Sequence, residues 1–361
     1  MPGAHPVLAA TEFWYNFRHM NDQQRARYLR QVIFAPLGAE GQEKLLAARV
    51  LIVGCGATGS VIANTLARAG VGQLTIADRD FIELNNLQRQ ILFDEEDIAA
   101  GFPKAVAAAN KLRKINSSIA VRPVVADINA ENIEELVQAA DLVLDGTDNF
   151  ETRYLVNDAC VKLRRPWIYG GAVGSYGATL TIIPHETACF RCVFMHAPAP
   201  GTLPTCDTAG VIAPIISVIG SIVSAEAIKL LSGMGPRNPD MLHIDLWENT
   251  FDSFHVPRRP DCPTCGQGEY EFLEEGGSGS MTAHLCGRNA VQVRAVRGHA
   301  LDLPALTGRL SQVGKATLNE YLVQFVVDPY QMTIFADGRA IIKGTEDEAV
   351  AKSLYARYVG M

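Results

Sequence analysis

No uncharged apolar run in this 361-residue chain reaches the about 20 residues that a membrane span requires. The longest, Val211 to Ala225, is closed by Glu226 and Lys229 and reads as a buried helix with Pro214 in its first turn, so no membrane partner is expected. Basic charge is not in excess either. Lys and Arg number 32 against 39 Asp and Glu, a net charge of −7, whereas nucleic-acid binding generally needs a basic face. Residues 1–26 have no basic leader and no unbroken apolar stretch, because Glu12 interrupts it; they are expected to be an N-terminal extension without a secretory signal, with Met20 a candidate start. Cysteine is sparse, eight in all, and four of these fall in two C-x-x-C pairs, which favours metal over disulfides and a cytoplasmic location. No paired catalytic acids and no catalytic histidine stand out. The chemistry to expect is therefore charge neutralisation and positioning rather than proton transfer.

What the chain does contain is organised around Arg49 to Asp80. Val50 to Val53 is a short β-branched run leading into Gly54-Cys55-Gly56-Ala57-Thr58-Gly59, a G-x-G-x-x-G turn followed by a helical pattern from Ser60 to Ala69. Gly54 allows the tight turn, Gly56 lets the backbone approach a phosphate, and Gly59 lets the helix pack closely on the strand. A second strand, Leu74 to Ala77, ends at Asp78, about 20 residues beyond the last glycine, where an acid accepts hydrogen bonds from a ribose. This is a nucleotide-binding βαβ unit, with the helix N-terminus turned toward an anion.

Further along, Lys104 opens the Ala-rich helix Ala105 to Lys114; a lysine there opposes the helix dipole, so an anion is expected beside it. Leu142 to Leu144 is a strand running into Asp145-Gly146-Thr147-Asp148-Asn149, and acids at that end of an open α/β sheet lie where ligands bind, so Asp148 is a candidate magnesium ligand. Val121 to Ala126, Trp167 to Gly170 and Ala178 to Ile183 add strands, and the recurring strand-helix order predicts a doubly wound, largely parallel Rossmann-like sheet. Asn21 to Leu46 reads as a polar helical stretch.

Cys189-Phe-Arg-Cys192 and Cys262-Pro-Thr-Cys265 supply four thiolates from loops about 70 residues apart, the set that a closed, structural zinc site requires. Cys206 differs, lying in the polar loop Pro204 to Gly210. An acidic, then Gly/Ser-rich linker is expected over 269–283, and beyond it a small α+β domain over 284–361. There, Ala290 to Val296, Ala316 to Val327 and Gln331 to Lys343 alternate like strands, with a turn at Asp337-Gly338, and Leu303 to Leu310 and Glu346 to Tyr358 are helical.

The run RYLRQ at Arg27 to Gln31, then GCGATG, ADRDFIELNNLQRQ, GFPKA, DGTDN, CFRC, PTCDTAGVIAP and CPTC resemble, in order, the motifs of the MoeB/ThiF/HesA family, bacterial relatives of ubiquitin-activating enzymes. The resemblance spans about 27–267 and implies an ATP-binding adenylation domain over 27–268. It implies ATP-dependent adenylation of the C-terminal glycine of a small ubiquitin-fold sulfur-carrier protein ending in Gly-Gly, with a sulfur donor protein as a further partner. Carried over by position, Gly54, Gly56 and Gly59 are the nucleotide turn and Asp78 the ribose acid; Asn86, Arg89 and Lys104 contact phosphates; and Asp148 binds magnesium. Arg30 matches an arginine that reaches the neighbouring subunit's ATP site, which implies a homodimer, and Cys206 matches a cysteine used in sulfur handling. Thr208 stands where one version of that loop has glutamate, a departure that bears on Cys206 and leaves adenylation untouched. The CDTAG loop and the C-terminal module look more like the thiamin-branch members than those serving molybdopterin or peptide modification.

A carboxylate is already ionised at neutral pH, so its attack on an α-phosphorus needs no general base; arginines, a lysine, magnesium and backbone N–H groups suffice. A nicotinamide-dependent oxidoreductase would use the same turn and Asp78, yet it leaves Arg89, Lys104 and the cysteine pairs unexplained. An inert binding scaffold leaves the phosphate-facing residues unexplained in the same way.

Overall fold

The structure is a computed structural model that describes residues 20–198, 206–275, 282–285, 289–293 and 301–360, without the side chains of 206, 207, 275 and 282–285. Two compact units are present: 20–197 with 211–274, and 275 onward together with Pro198 and 206–210.

The first unit holds an eight-stranded sheet in the order β3-β2-β1-β4-β5-β6-β7-β8, with β1 Arg49–Val53, β2 Gln73–Ala77, β3 Ala120–Val124, β4 Leu142–Asp145, β5 Trp167–Val173, β6 Tyr176–Ile182, β7 Met241–Asp245 and β8 Thr250–Phe254. Strands β3 to β5 in that order are parallel. The last three are antiparallel, which limits the largely parallel sheet expected from the sequence to a parallel-rich one. The cause is local: only Gly174 and Ser175 separate β5 from β6, too short for a crossover, so the chain folds back as a hairpin.

Helices cover both faces. They are α1 Asp22–Ile33, α2 Gly38–Ala47, α3 Ala57–Ala69, α4 Glu95–Ala100, α5 Lys104–Ile115, α6 Ile133–Gln138, α7 Phe150–Lys162 and α8 Ala213–Ser232. Along β1 the side chains alternate: Val50 and Ile52 join a core with Ile62 and Leu66 of α3, Leu112 of α5 and Ile219 of α8. Leu51 and Val53 join a second core with Val137 of α6 and Tyr154 and Ala159 of α7. A strand buried on both faces must be apolar where it is buried, as β1 is from Val50 to Val53. The helical stretch expected over Asn21 to Leu46 is two helices, because Pro36 disfavours helix at Ala35 and breaks the hydrogen-bond ladder. Helix α8 is long and apolar enough to cross a membrane by composition, with mean hydropathy 1.7, but half of that window is buried within the fold and its isoleucines complete the first core.

Residues Glu271–Glu275, expected to open the linker, form a short helix whose Phe272 ring stacks on Tyr154 at 4.6 Å. The second unit is an antiparallel sheet, β11-β12-β13-β14-β10-β9 (β9 Thr282–Leu285, β10 Ala290–Val293, β11 Lys315–Leu318, β12 Leu322–Val327, β13 Tyr330–Phe335, β14 Ala340–Lys343). Helices α9 Leu303–Leu310 and α10 Glu348–Tyr358 share one core with it through Leu306, Tyr355, Phe325 and Ile334. The expected strand over 316–327 is two strands broken at Asn319, and the turn expected at Asp337-Gly338 divides 331–343 into β13 and β14.

Candidate functional site

The glycine turn sits between β1 and α3 at the carboxyl end of the parallel strands. Gly54 has φ +86°, which a side chain rarely adopts. A Cβ on Gly59 would lie 2.1 Å from the Gly54 carbonyl oxygen and 3.5 Å from the Gly146 Cα. Gly146 itself is pressed between Gly54 and Gly59, where a Cβ would meet backbone at 2.2 Å. The turn thus locks the loop after β4 against the start of α3. Gly56 is open by contrast: only the Gln90 Nε2 comes within 4 Å of its Cβ position, at 3.8 Å. This leaves the backbone free for close approach of a phosphate.

Asp78 is nearly buried, and both carboxylate oxygens already accept backbone N–H groups, from Cys55 at 2.6 Å and from Asp80 at 2.7 Å. It therefore holds the glycine turn as well as facing the nucleotide side. Burial pushes its carboxyl above the ordinary range while the Lys104 charge works against that shift. The Cys55 thiol is pushed up by burial and by Asp78, so this cysteine is an inert part of the turn.

Lys104 is buried, and its Nζ lies 3.2 Å from the Asp80 carboxylate. The anion expected beside a lysine at a helix start is thus supplied by the chain itself. Arg79, between Asp78 and Asp80 in sequence, pairs with Asp127 at 2.9 Å; burial opposes its charge, but Asp127, Asp80 and Asp148 together hold it above its usual value. Asn86 is buried in a one-turn helix and spends its side-chain oxygen on the Glu83 N–H at 3.0 Å. Arg89 is half-buried and donates from Nη1 to the Asn85 carbonyl at 2.7 Å. Asp148 is exposed beyond β4, within electrostatic reach of Arg79 and Arg153.

Gly54, Gly56, Gly59, Asp78, Lys104 and Asp148 are thereby gathered at one edge of the parallel strands, with Asn86 and Arg89 in the turn leading to Gln90. Arg30 is not brought into this group: it is exposed in the last turn of α1, and no described hydrogen bond or ion pair involves it. Cys206 begins the turn Cys206–Ala209, and its side chain lies outside the described residues. Sequence reasoning overlooked Asp80, Arg79, Asp145, Arg153 and Gln90. The acids had a legible signal, a second aspartate next to each strand-end acid; the buried Gln90, whose Oε1 has no partner, had none.

The four paired cysteines converge, buried, with all sulfurs within 4.8 Å of one another. The Sγ separations of 3.6 Å for Cys189–Cys262, 3.5 Å for Cys192–Cys265 and 3.9 Å for Cys189–Cys192 match the edge, about 3.8 Å, of a tetrahedron with Zn–S bonds near 2.3 Å. Hydrogen bonding among the four sulfurs lowers the thiol pKa of Cys192 and Cys262 and raises that of Cys189 and Cys265, so the cysteines titrate as one cluster. Arg259 lies within electrostatic reach of Cys262 and Cys192, whereas Arg191 pairs with Glu271. Helix α7 braces both turns: Asn157 Oδ1 accepts the Phe190 N–H at 3.0 Å, and Asp158 accepts the Thr264 hydroxyl at 2.9 Å and the Phe272 N–H at 3.0 Å. The cluster fits a closed metal centre with no open coordination position.

This glycine turn, the acid at the end of β2 and the cysteine clip suit a nucleotide-binding enzyme class, and the ThiF family model matches residues 28–264. The chain belongs to the ThiF family. It is 44% identical over 337 residues to the sulfur carrier protein ThiS adenylyltransferase of Bacillus subtilis, covering 92% of this chain and 99% of that one. To the protein of the same description from Escherichia coli it is 40% identical over 249 residues, 68% of this chain and 97% of that one. Among solved structures, Escherichia coli MccB with ATP superposes with a TM-score of 0.61 at 25% identity, over 70% of this chain and 76% of that chain. The longer Bacillus subtilis match leaves at most 8% of this chain uncovered, so it extends well into the second unit.

Proposed function

We propose that this chain is an ATP-dependent sulfur carrier protein adenylyltransferase, activating the C-terminal glycine carboxylate of a ThiS-type carrier for thiamin thiazole biosynthesis. The observation that carries it is end-to-end likeness to a relative of that description, on a chain whose turn, acids and lysine suit a nucleoside triphosphate. The carrier is expected to be a small ubiquitin-fold protein ending in Gly-Gly.

In the reaction, a carrier carboxylate oxygen bonds to the α-phosphorus of ATP, the α–β phosphoanhydride bond breaks, pyrophosphate leaves and no proton moves. Gly56 presents backbone to the phosphates, and Asp78 faces the ribose while fixing the turn through Cys55. Arg89 and Lys104 supply positive charge, Lys104 from a fixed position because Asp80 anchors it. Asp148 would hold magnesium, which neutralises charge on the departing pyrophosphate. Cys189, Cys192, Cys262 and Cys265 would hold one structural zinc. Arg30, exposed on the surface of α1, acts on the neighbouring subunit's nucleotide in a homodimer, and Cys206 takes part in sulfur handling after adenylation, with a sulfur donor protein as a further partner. The adenylation domain spans 27–268, the second unit is accessory to it, and the enzyme works in the cytoplasm.

Exchange of labelled pyrophosphate into ATP tests the reading. It should depend on a Gly-Gly-ended carrier and need no nicotinamide. Absence of exchange with carriers of thiamin and molybdopterin type, together with tight nicotinamide dinucleotide binding, would refute it.

A further inference from the structure

Asp148 is the exposed member of a loop whose other residues are all tied down. Asp145 Oδ1 accepts the Thr147 N–H at 2.8 Å and its hydroxyl at 2.6 Å; Asp145 Oδ2 accepts Arg153 Nε at 2.8 Å and the Gly170 N–H at 3.4 Å. Arg153 Nη2 donates to the Thr147 carbonyl at 2.8 Å, and Asn149 Oδ1 caps α7 by accepting the Thr152 N–H at 2.8 Å. Gly146 is wedged against Gly54 and Gly59. Residues 145, 147 and 149 are thus held inward, and 148 between them points its carboxylate to solvent.

The group that closes this arrangement is Arg153. It is 6% exposed, its guanidinium lies over the rings of Tyr169 at 5.1 Å and Phe150 at 5.4 Å, and its two hydrogen bonds reach both ends of the Asp145–Thr147 turn. Its bonds join the strand end and the loop carbonyl to the helix that follows. We propose that Arg153 is a positioning residue that, through Asp145, fixes the 145–149 loop so that Asp148 is presented to the metal that accompanies the nucleotide. Arginine is needed because its planar fork reaches a carboxylate and a carbonyl at once; lysine keeps the charge and loses the geometry. The proposal rests on the assignment of Asp148 to the metal.

The test compares Arg153→Lys and Asp145→Asn with the parent and with Asp148→Ala, all in the full-length protein. Mn2+ bound in the presence of a non-hydrolysable ATP analogue is read by electron paramagnetic resonance, amide exchange is followed over 145–149, and pyrophosphate exchange is titrated with metal. Both variants should bind Mn2+ about 10- to 100-fold more weakly. Their faster amide exchange should be confined to this loop, and their metal requirement in turnover should rise in parallel while unfolding stays cooperative. Parental Mn2+ affinity in Arg153→Lys, with activity lost only in proportion to folded protein, would overturn the proposal and leave Arg153 a packing residue. Parental affinity in Asp148→Ala would overturn it from the other side, by removing Asp148 from the metal while leaving the adenylation reading intact.

Discussion

Adding one methyl group at two positions in the glycine turn should separate folding from nucleotide binding. At Gly59 the new Cβ would sit 2.1 Å from the Gly54 oxygen, over 1 Å inside an ordinary carbon–oxygen contact, and the obstacle is backbone fixed from behind by Gly146. Overpacking against groups that cannot yield costs about 1–3 kcal/mol, and rigid backbone on both sides places Gly59→Ala near the top, at about 3 kcal/mol. In a unit of this size that lowers the melting temperature by about 6–12 °C. At Gly56 the Cβ meets nothing nearer than a flexible glutamine tip at 3.8 Å, so Gly56→Ala should unfold within about 1 kcal/mol of the parent. It should nevertheless lose ATP, because the methyl group occupies the space through which a phosphate reaches the backbone donors; losing one such donor costs about 3 kcal/mol, some two orders of magnitude in rate. Thermal unfolding and ATP-binding calorimetry on both variants, followed by pyrophosphate exchange, measure the separation. Parental ATP affinity in Gly56→Ala, or equal melting of the two variants, would refute the reasoning.

Freshly prepared protein should contain one zinc per chain, and a strong chelator should lower stability by at most about 4 kcal/mol, the loop-closure entropy of joining segments 73 residues apart. ATP affinity should change less than about twofold; metal analysis without zinc, or collapse of ATP binding on chelation, would show otherwise. Arg30→Ala alone should lower turnover about 100-fold or more, as loss of an in-trans arginine does. Mixing it with inactive Asp148→Ala subunits should restore part of the activity, since one site of each mixed dimer regains both groups. Mixtures that exchange subunits and stay inactive would place Arg30 outside the partner's site.

The nucleotide half of this fold was legible because its signals are local. A glycine turn needs three glycines in six positions, and the positive φ at Gly54, the open space at Gly56 and the close backbone at Gly59 suit it. The cysteine pairs were legible for the same reason. Helix α7 was not. Every residue from Arg153 to Val161 is buried, so no polar stripe alternates with an apolar one and the 3.6-residue period vanishes. The antiparallel edge was hidden in a glycine-rich run, Gly170 to Gly177, where a hairpin and a continuous strand look alike. In the second unit, alternation continued across the turn at Asn319, so β11 and β12 read as one long strand, whereas the Asp337-Gly338 turn was legible. The Asp80 partner of Lys104 was not legible, since only the fold brings that carboxylate to it.

The same hidden helix explains why metal removal and nucleotide binding should come apart. Asn149, Arg153 and Asn157 fall at four-residue intervals, on one face of α7, with Asp158 beside the last. The first two fasten the Asp148 loop; Asn157 and Asp158 fasten the backbone and hydroxyl groups next to Cys189 and Cys265. All of these contacts are bonds between protein groups, and none passes through a cysteine sulfur. Losing a metal from the clip would release the cross-link between two distant loops but would leave the acceptors on α7 and their donors in place. Buried groups of this kind are costly to leave unpaired, about 1–3 kcal/mol each, so the helix resists moving to follow the loosened clip. Tyr154 adds to that resistance, since its hydroxyl donates to the Phe194 and His196 carbonyls at 3.0 Å while its ring stacks on Phe272. The Asp148 loop is thus insulated from the state of the cysteines by the helix that joins the two.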